Sequence, residues 1–167
     1  IHACRRNVDM TCIVMDNEVY GMTKGQPSPT TPPNWDCKIA PGGTGVSPFS
    51  PLMVALASGA GFIARGFSGD RNGIAKMLVE AIRYPGFALL QVLSPCVTFR
   101  PEEKDWRLQV HPSELPTTAN WAEATRRLAA DDGMTTGIFY KAELPLYPAT
   151  VMEPIDQLNA IETELTL

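Results

Sequence analysis

The sequence predicts an α/β fold, a parallel sheet flanked by helices. Two observations predict it. The first is a set of short apolar runs of strand length, MTCIVM (10–15), FIARGF (62–67) and FALLQVL (87–93). They are too continuous for strands with one wet face, and suit strands buried on both. The second is that helical patterns with start and stop signals fall between and after these runs. Strand, helix, strand, helix, strand in this order argues a parallel sheet with helices on its faces.

Taken in order, the chain opens with IHACRRNVD and no methionine. His2 to Arg5 read as the tail of a helix, with Asn7 as its stop. A start in mid-helix leads us to expect a segment before it. The run at 10–15 follows and ends at Asp16-Asn17. A loop rich in proline and glycine then continues to Ser50, which has the chemistry of an N-cap, with Pro51 at the first helical position. That helix ends at Gly59, a C′ glycine. After the run at 62–67, Asp70 can cap a helix whose Ile74, Met77, Leu78, Ala81 and Ile82 form an apolar stripe at helical spacing. Plain core packing explains the stripe. Pro85-Gly86 stops this helix. Beyond the run at 87–93 the chain is mostly irregular, until Thr118 offers a cap for a helix through Trp121, Ala124, Leu128 and Ala129. TGIFY (136–140) reads as a last short strand, and the tail from Glu153 as an amphipathic helix. There is no internal repeat and no low-complexity tract.

Composition bounds the class. The chain has 167 residues, 44% hydrophobic and 19% charged, which describes a folded, soluble chain and not a disordered one. This length suits one domain with a proper core, or a large piece of a bigger protein. A net charge of −4, spread without long runs, gives no basis for a nucleic-acid partner. No apolar run approaches the roughly 20 residues of a membrane helix, and the start does not read as a signal peptide. Four cysteines, at 4, 12, 37 and 96, contain no CxxC. Reduced, mostly buried thiols in a cytoplasmic protein are the plain expectation. His2 and His111 match no motif, and surface or packing roles are expected for both.

The stretch DNEVYGMTKGQPSPTT (16–31) carries the chemistry. Its two prolines, Pro27 and Pro29, break any helix or central strand. Asn17 offers a neutral amide oxygen at the end of a strand, and the Val19 carbonyl can point the same way. Such oxygens, with a carboxylate from elsewhere, suit a hard cation such as Mg²⁺ holding phosphates. Backbone N–H groups around Gly21 and Thr23 can cradle phosphate oxygens, and Thr23 and Lys24 add a hydroxyl and a positive charge. The residues alone fit a diphosphate-plus-magnesium loop, and they also fit an ordinary surface loop.

The run RRNVDMTCIVMDNEVYGMTKGQPSPTT resembles the β subunits of the 2-oxoacid:ferredoxin oxidoreductases. LLQVLSPCVTF (89–99) and GIFYKAELP (137–145) carry the resemblance along nearly the whole chain. The pattern DNxVYGxTKGQxSPT is long and specific. The resemblance implies a thiamine-diphosphate-binding fold, present in part: residues 1–112 as the C-terminal portion of that domain, and 113–167 as a helix-strand-helix extension. It implies Asn17 as a side-chain ligand and Val19 as a carbonyl ligand of Mg²⁺. It implies that Tyr20, Gly21, Met22 and Thr23 line the thiamine diphosphate, with Met22 beneath the bent cofactor. Thr23 and Lys24 would stand nearest the chemistry, with Lys24 close to the carboxylate of the 2-oxoacid. Cys96 would be the last of four thiolates on a four-iron, four-sulfur (4Fe-4S) cluster, while Cys4, Cys12 and Cys37 stay ordinary thiols.

The implied reaction is oxidative decarboxylation of a 2-oxoacid with coenzyme A to acyl-CoA and CO₂. Electrons would pass through the cluster to ferredoxin, and an α subunit would complete the pocket. Lys24 favours the 2-oxoglutarate or broad-specificity branch. The sequence also departs from the family pattern. The GDG aspartate that completes the magnesium site and the other three cluster cysteines are absent from this chain. Its residues would thus form one half of each site, and alone should bind neither cofactor well. Two other readings follow from such departures. One is a non-oxidative thiamine-diphosphate decarboxylase or synthase, against which LSPC speaks. The other is a binding or assembly subunit of the same fold without chemistry.

Overall fold

The computed structural model describes residues 1–147, so the helix expected from Glu153 lies outside the described residues. Helix α1 (His2–Arg6) ends at Asn7, whose left-handed backbone (φ 47°) stops it as expected. Strand β1 (Met10–Asp16) follows. The loop beyond it contains the two-residue strands β2 (Val19–Tyr20) and β3 (Gln26–Pro27), paired antiparallel around a 3₁₀ turn at Gly21–Thr23. Helix α2 (Pro51–Ala57) starts where the Ser50 side chain accepts the Met53 N–H. After β4 (Phe62–Phe67), Asp70 accepts the Gly73 N–H and caps α3 (Arg71–Arg83). β5 (Phe87–Leu93) is buried along its whole length. The remaining elements are a short 3₁₀ helix (Pro101–Asp105), α4 (Trp106–Gln109), β6 (His111–Pro112), α5 (Trp121–Ala129) and β7 (Thr135–Lys141).

The main sheet has the order β1-β5-β4-β7-β6. β1, β5 and β4 run parallel, as expected, and β4 and β5 are buried. β1 departs from the expectation of burial on both faces: it lies at the sheet edge, where Met10, Ile13 and Met15 are exposed because no neighbouring strand or helix covers them among the described residues. β7 departs from an all-parallel sheet: it lies antiparallel against β4, with a register shift between Ile63 and Ala64. A second departure concerns the cap of α5. Asn120, not Thr118, accepts the Glu123 N–H there. Thr118 is engaged elsewhere, its N–H on Phe139 and its carbonyl accepting the Lys141 N–H, so it sits beside the sheet.

Alternation along the strands divides the core in two. Ile63, Leu89 and Phe139 face α2 and α5, meeting Leu52, Leu56, Ala124 and Leu128. Phe62, Ala64, Ala88 and Leu90 face α3, meeting Ala81 and Tyr84 with Ile74, Met77 and Leu78 packed against them. Each fully buried Leu, Ile or Phe contributes about 1.5–3 kcal/mol relative to exposure. Because β1 and β5 are parallel and in register from Met10↔Phe87 to Asp16↔Leu93, their carboxyl ends emerge side by side. The Ser94 N–H donates to the Asp16 carbonyl at 2.7 Å. The loop after Asp16 and the SPC turn after Leu93 therefore leave the sheet together.

Candidate functional site

Asp16 ends β1 with its side chain buried, and that carboxylate organises the turn beyond it. One oxygen accepts the Glu18 N–H at 3.1 Å and the Thr30 hydroxyl at 2.7 Å, and the other accepts the Gln91 amide at 2.7 Å. Gln91 in turn accepts Arg65 Nε at 2.9 Å, and Arg65 bridges to Asp131 at 2.5 Å. A buried polar chain thus crosses the carboxyl ends of three strands and fixes where the loop begins. Polar residues buried in an otherwise apolar sheet persist because they satisfy one another.

The loop then turns sharply. Asn17 Oδ1 accepts the Val19 N–H at 3.2 Å and keeps a second lone pair. Glu18 takes φ +50°, and the Thr31 hydroxyl donates to its carbonyl. Val19 is buried and pairs in register with Pro27, which has no N–H to donate to it. Lys24 (φ +69°) and Gly25 (φ +87°) reverse the chain, and a Cβ on Gly25 would lie 2.8 Å from the Phe99 ring. Gly21 serves close approach instead: a Cβ there would sit 3.6 Å from Cys96 Sγ.

One cavity of about 480 Å³ is lined by Asn17, Val19, Tyr20, Gly21, Met22, Thr23, Cys96, Thr98 and Phe99. The candidate residues of the loop therefore meet Cys96 in space, although about seventy positions separate them in the chain. Lys24, the next residue in the chain, is exposed to solvent and is not among the residues that line the cavity. Met22 is fully exposed, and Tyr20 and Phe99, which line the same cavity, expose apolar surface, as does Val97, next in the chain to Cys96. A clustered apolar rim of this kind is suited to being covered. A larger hollow of about 670 Å³, lined by His111, Arg126, Arg127 and Asp132 among others, holds none of the loop residues. His111 lies 3.0 Å from Asp132, whose carboxylate raises the imidazole above its ordinary value.

Sequence reasoning did not single out Glu18, Arg100 and Glu103. Arg100, buried, contacts the carboxylates of Glu18, Glu102 (3.1 Å) and Glu103 (3.0 Å), and lies over the Trp35 ring at 5.2 Å. Burial alone would depress its guanidinium, yet the hydrogen bond and charge of Glu18, with the other two carboxylates, hold it above its ordinary value. Glu103 is fully buried and is pushed up to about 7 by that burial, against the pull of the Cys96 N–H and Arg100. Its other oxygen accepts the Cys96 N–H at 2.6 Å.

The donors fit one part of each expected group. The Asn17 amide and the Val19 carbonyl are neutral oxygens suited to a hard cation. Cys96 is a half-buried free thiol on the cavity wall, whereas Cys4 and Cys12 pack with the sheet core and Cys37 bridges to Ala40. Among the described residues, no group of three or more His, Cys, Asp or Glu stands ready to hold a metal. No helix among them is long and apolar enough to cross a membrane.

Comparison with known proteins gives the chain a family. Residues 1–92 match the family model for the thiamine pyrophosphate enzyme, C-terminal TPP binding domain, thiamine pyrophosphate being thiamine diphosphate. The 2-oxoglutarate synthase subunit KorB of Archaeoglobus fulgidus is 42% identical over 98 residues, covering 59% of this chain and 37% of that protein. A 2-oxoacid:ferredoxin oxidoreductase subunit beta of Sulfolobus sp is 35% identical over 159 residues, covering 86% of this chain and 52% of that protein. A solved 2-oxoglutarate:ferredoxin oxidoreductase from Magnetococcus marinus, with 2-oxoglutarate, coenzyme A and succinyl-CoA bound, superposes with a TM-score of 0.80 at 32% identity. That match covers 98% of this chain and 55% of the other. The chain thus spans about half the length, or less, of the relatives it matches. It belongs to the family of the thiamine pyrophosphate enzyme C-terminal TPP binding domain, and within it is similar to the β subunits of the 2-oxoacid:ferredoxin oxidoreductases.

Proposed function

We propose that this chain is part of the β subunit of a 2-oxoacid:ferredoxin oxidoreductase that acts on 2-oxoglutarate. The reaction is oxidative decarboxylation with coenzyme A to an acyl-CoA and CO₂, two electrons leaving to ferredoxin. The observation that carries the reading is the single cavity in which Asn17, Val19 to Thr23 and Cys96 meet. A surface loop of no function has no reason to bring a neutral-oxygen pair and a free thiol together.

When bound, thiamine diphosphate supplies the electron sink for decarboxylation. This chain's residues bind and orient. The Asn17 amide and the Val19 carbonyl give two oxygens to Mg²⁺. Tyr20, Gly21, Met22 and Thr23 line the cofactor, with N–H groups toward its phosphates. Thr23, whose hydroxyl donates to the Tyr20 carbonyl at 3.1 Å, braces the turn. Lys24, exposed and next in the chain to the cavity-lining Thr23, would meet the distal carboxylate of the substrate. Cys96 is the thiolate this chain gives to a 4Fe-4S cluster. The apolar rim of Tyr20, Met22, Val97 and Phe99 is covered in the assembly by cofactor and α subunit. Two observations favour 2-oxoglutarate over pyruvate: the cation at position 24, and the names of relatives such as the Archaeoglobus fulgidus subunit.

The test is steady-state kinetics of the complete complex with 2-oxoglutarate and with pyruvate, wild type beside Lys24→Ala. Removing one charge-assisted contact should raise KM for 2-oxoglutarate about tenfold or more while leaving pyruvate little changed. Equal use of both acids by the wild type, or an unchanged KM in the variant, would contradict the substrate assignment.

A further inference from the structure

The loop and the cysteine are joined by more than proximity. Glu18, in the turn next to Asn17, pairs with Arg100. Arg100 Nη1 lies 3.0 Å from Glu103 Oε1, and Glu103 Oε2 accepts the Cys96 N–H at 2.6 Å. The guanidinium is 6% exposed, the Glu103 side chain 0% and the Glu18 side chain 18%. One nitrogen, Nη1, stands between both carboxylates, hydrogen-bonded to Glu18 and ion-paired with Glu103, and Nε takes a third, Glu102. A buried charge of this kind is kept in place by its partners, since losing any of them strands the others. Each end is also tied locally. Asp16 accepts the Glu18 N–H and Thr31 donates to its carbonyl, while the Arg100 N–H returns to the Cys96 carbonyl at 2.8 Å.

We propose that Glu18, Arg100 and Glu103 form a strut that couples the diphosphate loop to Cys96, so that the geometry of one cofactor site is set in part by the other. All three are positioning residues: none touches a cofactor, and each acts through Asn17 or Cys96. The inference rests on the proposed reading of those two residues. It adds that the two sites form one mechanical unit within this chain, and that a disturbance at the loop is felt at the thiol.

Charge-conserving variants of the complete complex test it. Glu18→Asp and Glu103→Asp each shorten one arm by a methylene and keep a carboxyl group there, so loss of the group itself is removed as a cause. Aspartate also tolerates the left-handed backbone at position 18. The decisive readouts are the crossed ones. In Glu18→Asp, alkylation of Cys96 by iodoacetamide in the iron-free complex, followed by mass spectrometry, should quicken about three- to tenfold, in the lower part of the range that coupling between neighbouring residues produces. In Glu103→Asp, calorimetric titration with Mg²⁺ and thiamine diphosphate should show binding weakened by a similar factor. Thiol reactivity and cofactor affinity that change only on the side of each substitution would overturn the strut. The alkylation arm needs neither cluster nor turnover. A wild-type complex that holds no iron would sink the proposed function and still leave the strut to be decided by the thiol.

Discussion

Replacing Arg100 by alanine is expected to lower the unfolding free energy of the subunit by about 3–5 kcal/mol, the cost of breaking a buried ion pair on one side only. Most of that cost comes from what is left behind. Glu103 is fully buried, and Arg100 is its nearest counter-charge. Glu18 is largely buried and also leans on Arg100. The Trp35 ring would lose the guanidinium it lies beneath. Glu103 has no access to water where it stands, and Glu18 has only a little. Arg100→Lys keeps the charge but has no fork, and should recover only part of the loss. Urea denaturation of wild type and both variants measures the effect. A change below about 1 kcal/mol, the usual worth of a surface pair, would show that the cluster is solvated in solution.

Asn17→Ala is expected to weaken magnesium-dependent binding of thiamine diphosphate to the complete complex by about 100-fold. Outer-shell partners of metal sites already cost 10- to 100-fold when removed, and Asn17 is assigned to the metal directly. The substitution removes the amide oxygen and also frees the Val19 N–H that it accepts at 3.2 Å. The Val19 carbonyl should then lose its aim, since its register partner Pro27 offers no N–H to hold the strand pair there. Asn17→Asp discriminates between these effects. It keeps an acceptor for Val19 and a metal-binding oxygen, and should retain most of the affinity. Calorimetric titration with and without Mg²⁺ reads both. Full affinity in Asn17→Ala would remove Asn17 from the metal site.

β4 and β5 were legible because burial on both faces writes itself as continuous apolar runs, as in FALLQVL at β5. β1 was legible as a strand but not as an edge, since MTCIVM is as apolar as a buried run while Ile13 and Met15 are exposed. The helix starts at Ser50 and Asp70 were legible because capping is local chemistry, one side chain meeting an N–H three residues on. The direction of β7 was not. Strand orientation is decided by which neighbour a strand finds, and TGIFY pairs with β4 through contacts more than seventy residues away. Thr118 and Asn120 are both good caps two positions apart. The sheet decided between them by engaging Thr118. In the candidate site, the loop residues named by the motif and Cys96 named by LSPC come together at one cavity. Arg65 and Gln91 carried a signal, each being a polar residue inside an apolar run, which calls for a buried partner. Glu18, Arg100 and Glu103 carried none. Charged residues in irregular segments are ordinarily solvated, and only the fold shows these three buried against each other.

The central claim is that this chain carries part of a redox-active thiamine enzyme, with Cys96 on the path by which electrons leave. It is tested most directly by iron content and the visible spectrum of the complete complex, purified without oxygen, beside Cys96→Ala. The account predicts about four irons per β subunit, with broad thiolate-to-iron absorption that the variant loses. An intact wild-type complex without iron, or a Cys96→Ala variant that keeps both iron and absorption, would contradict it.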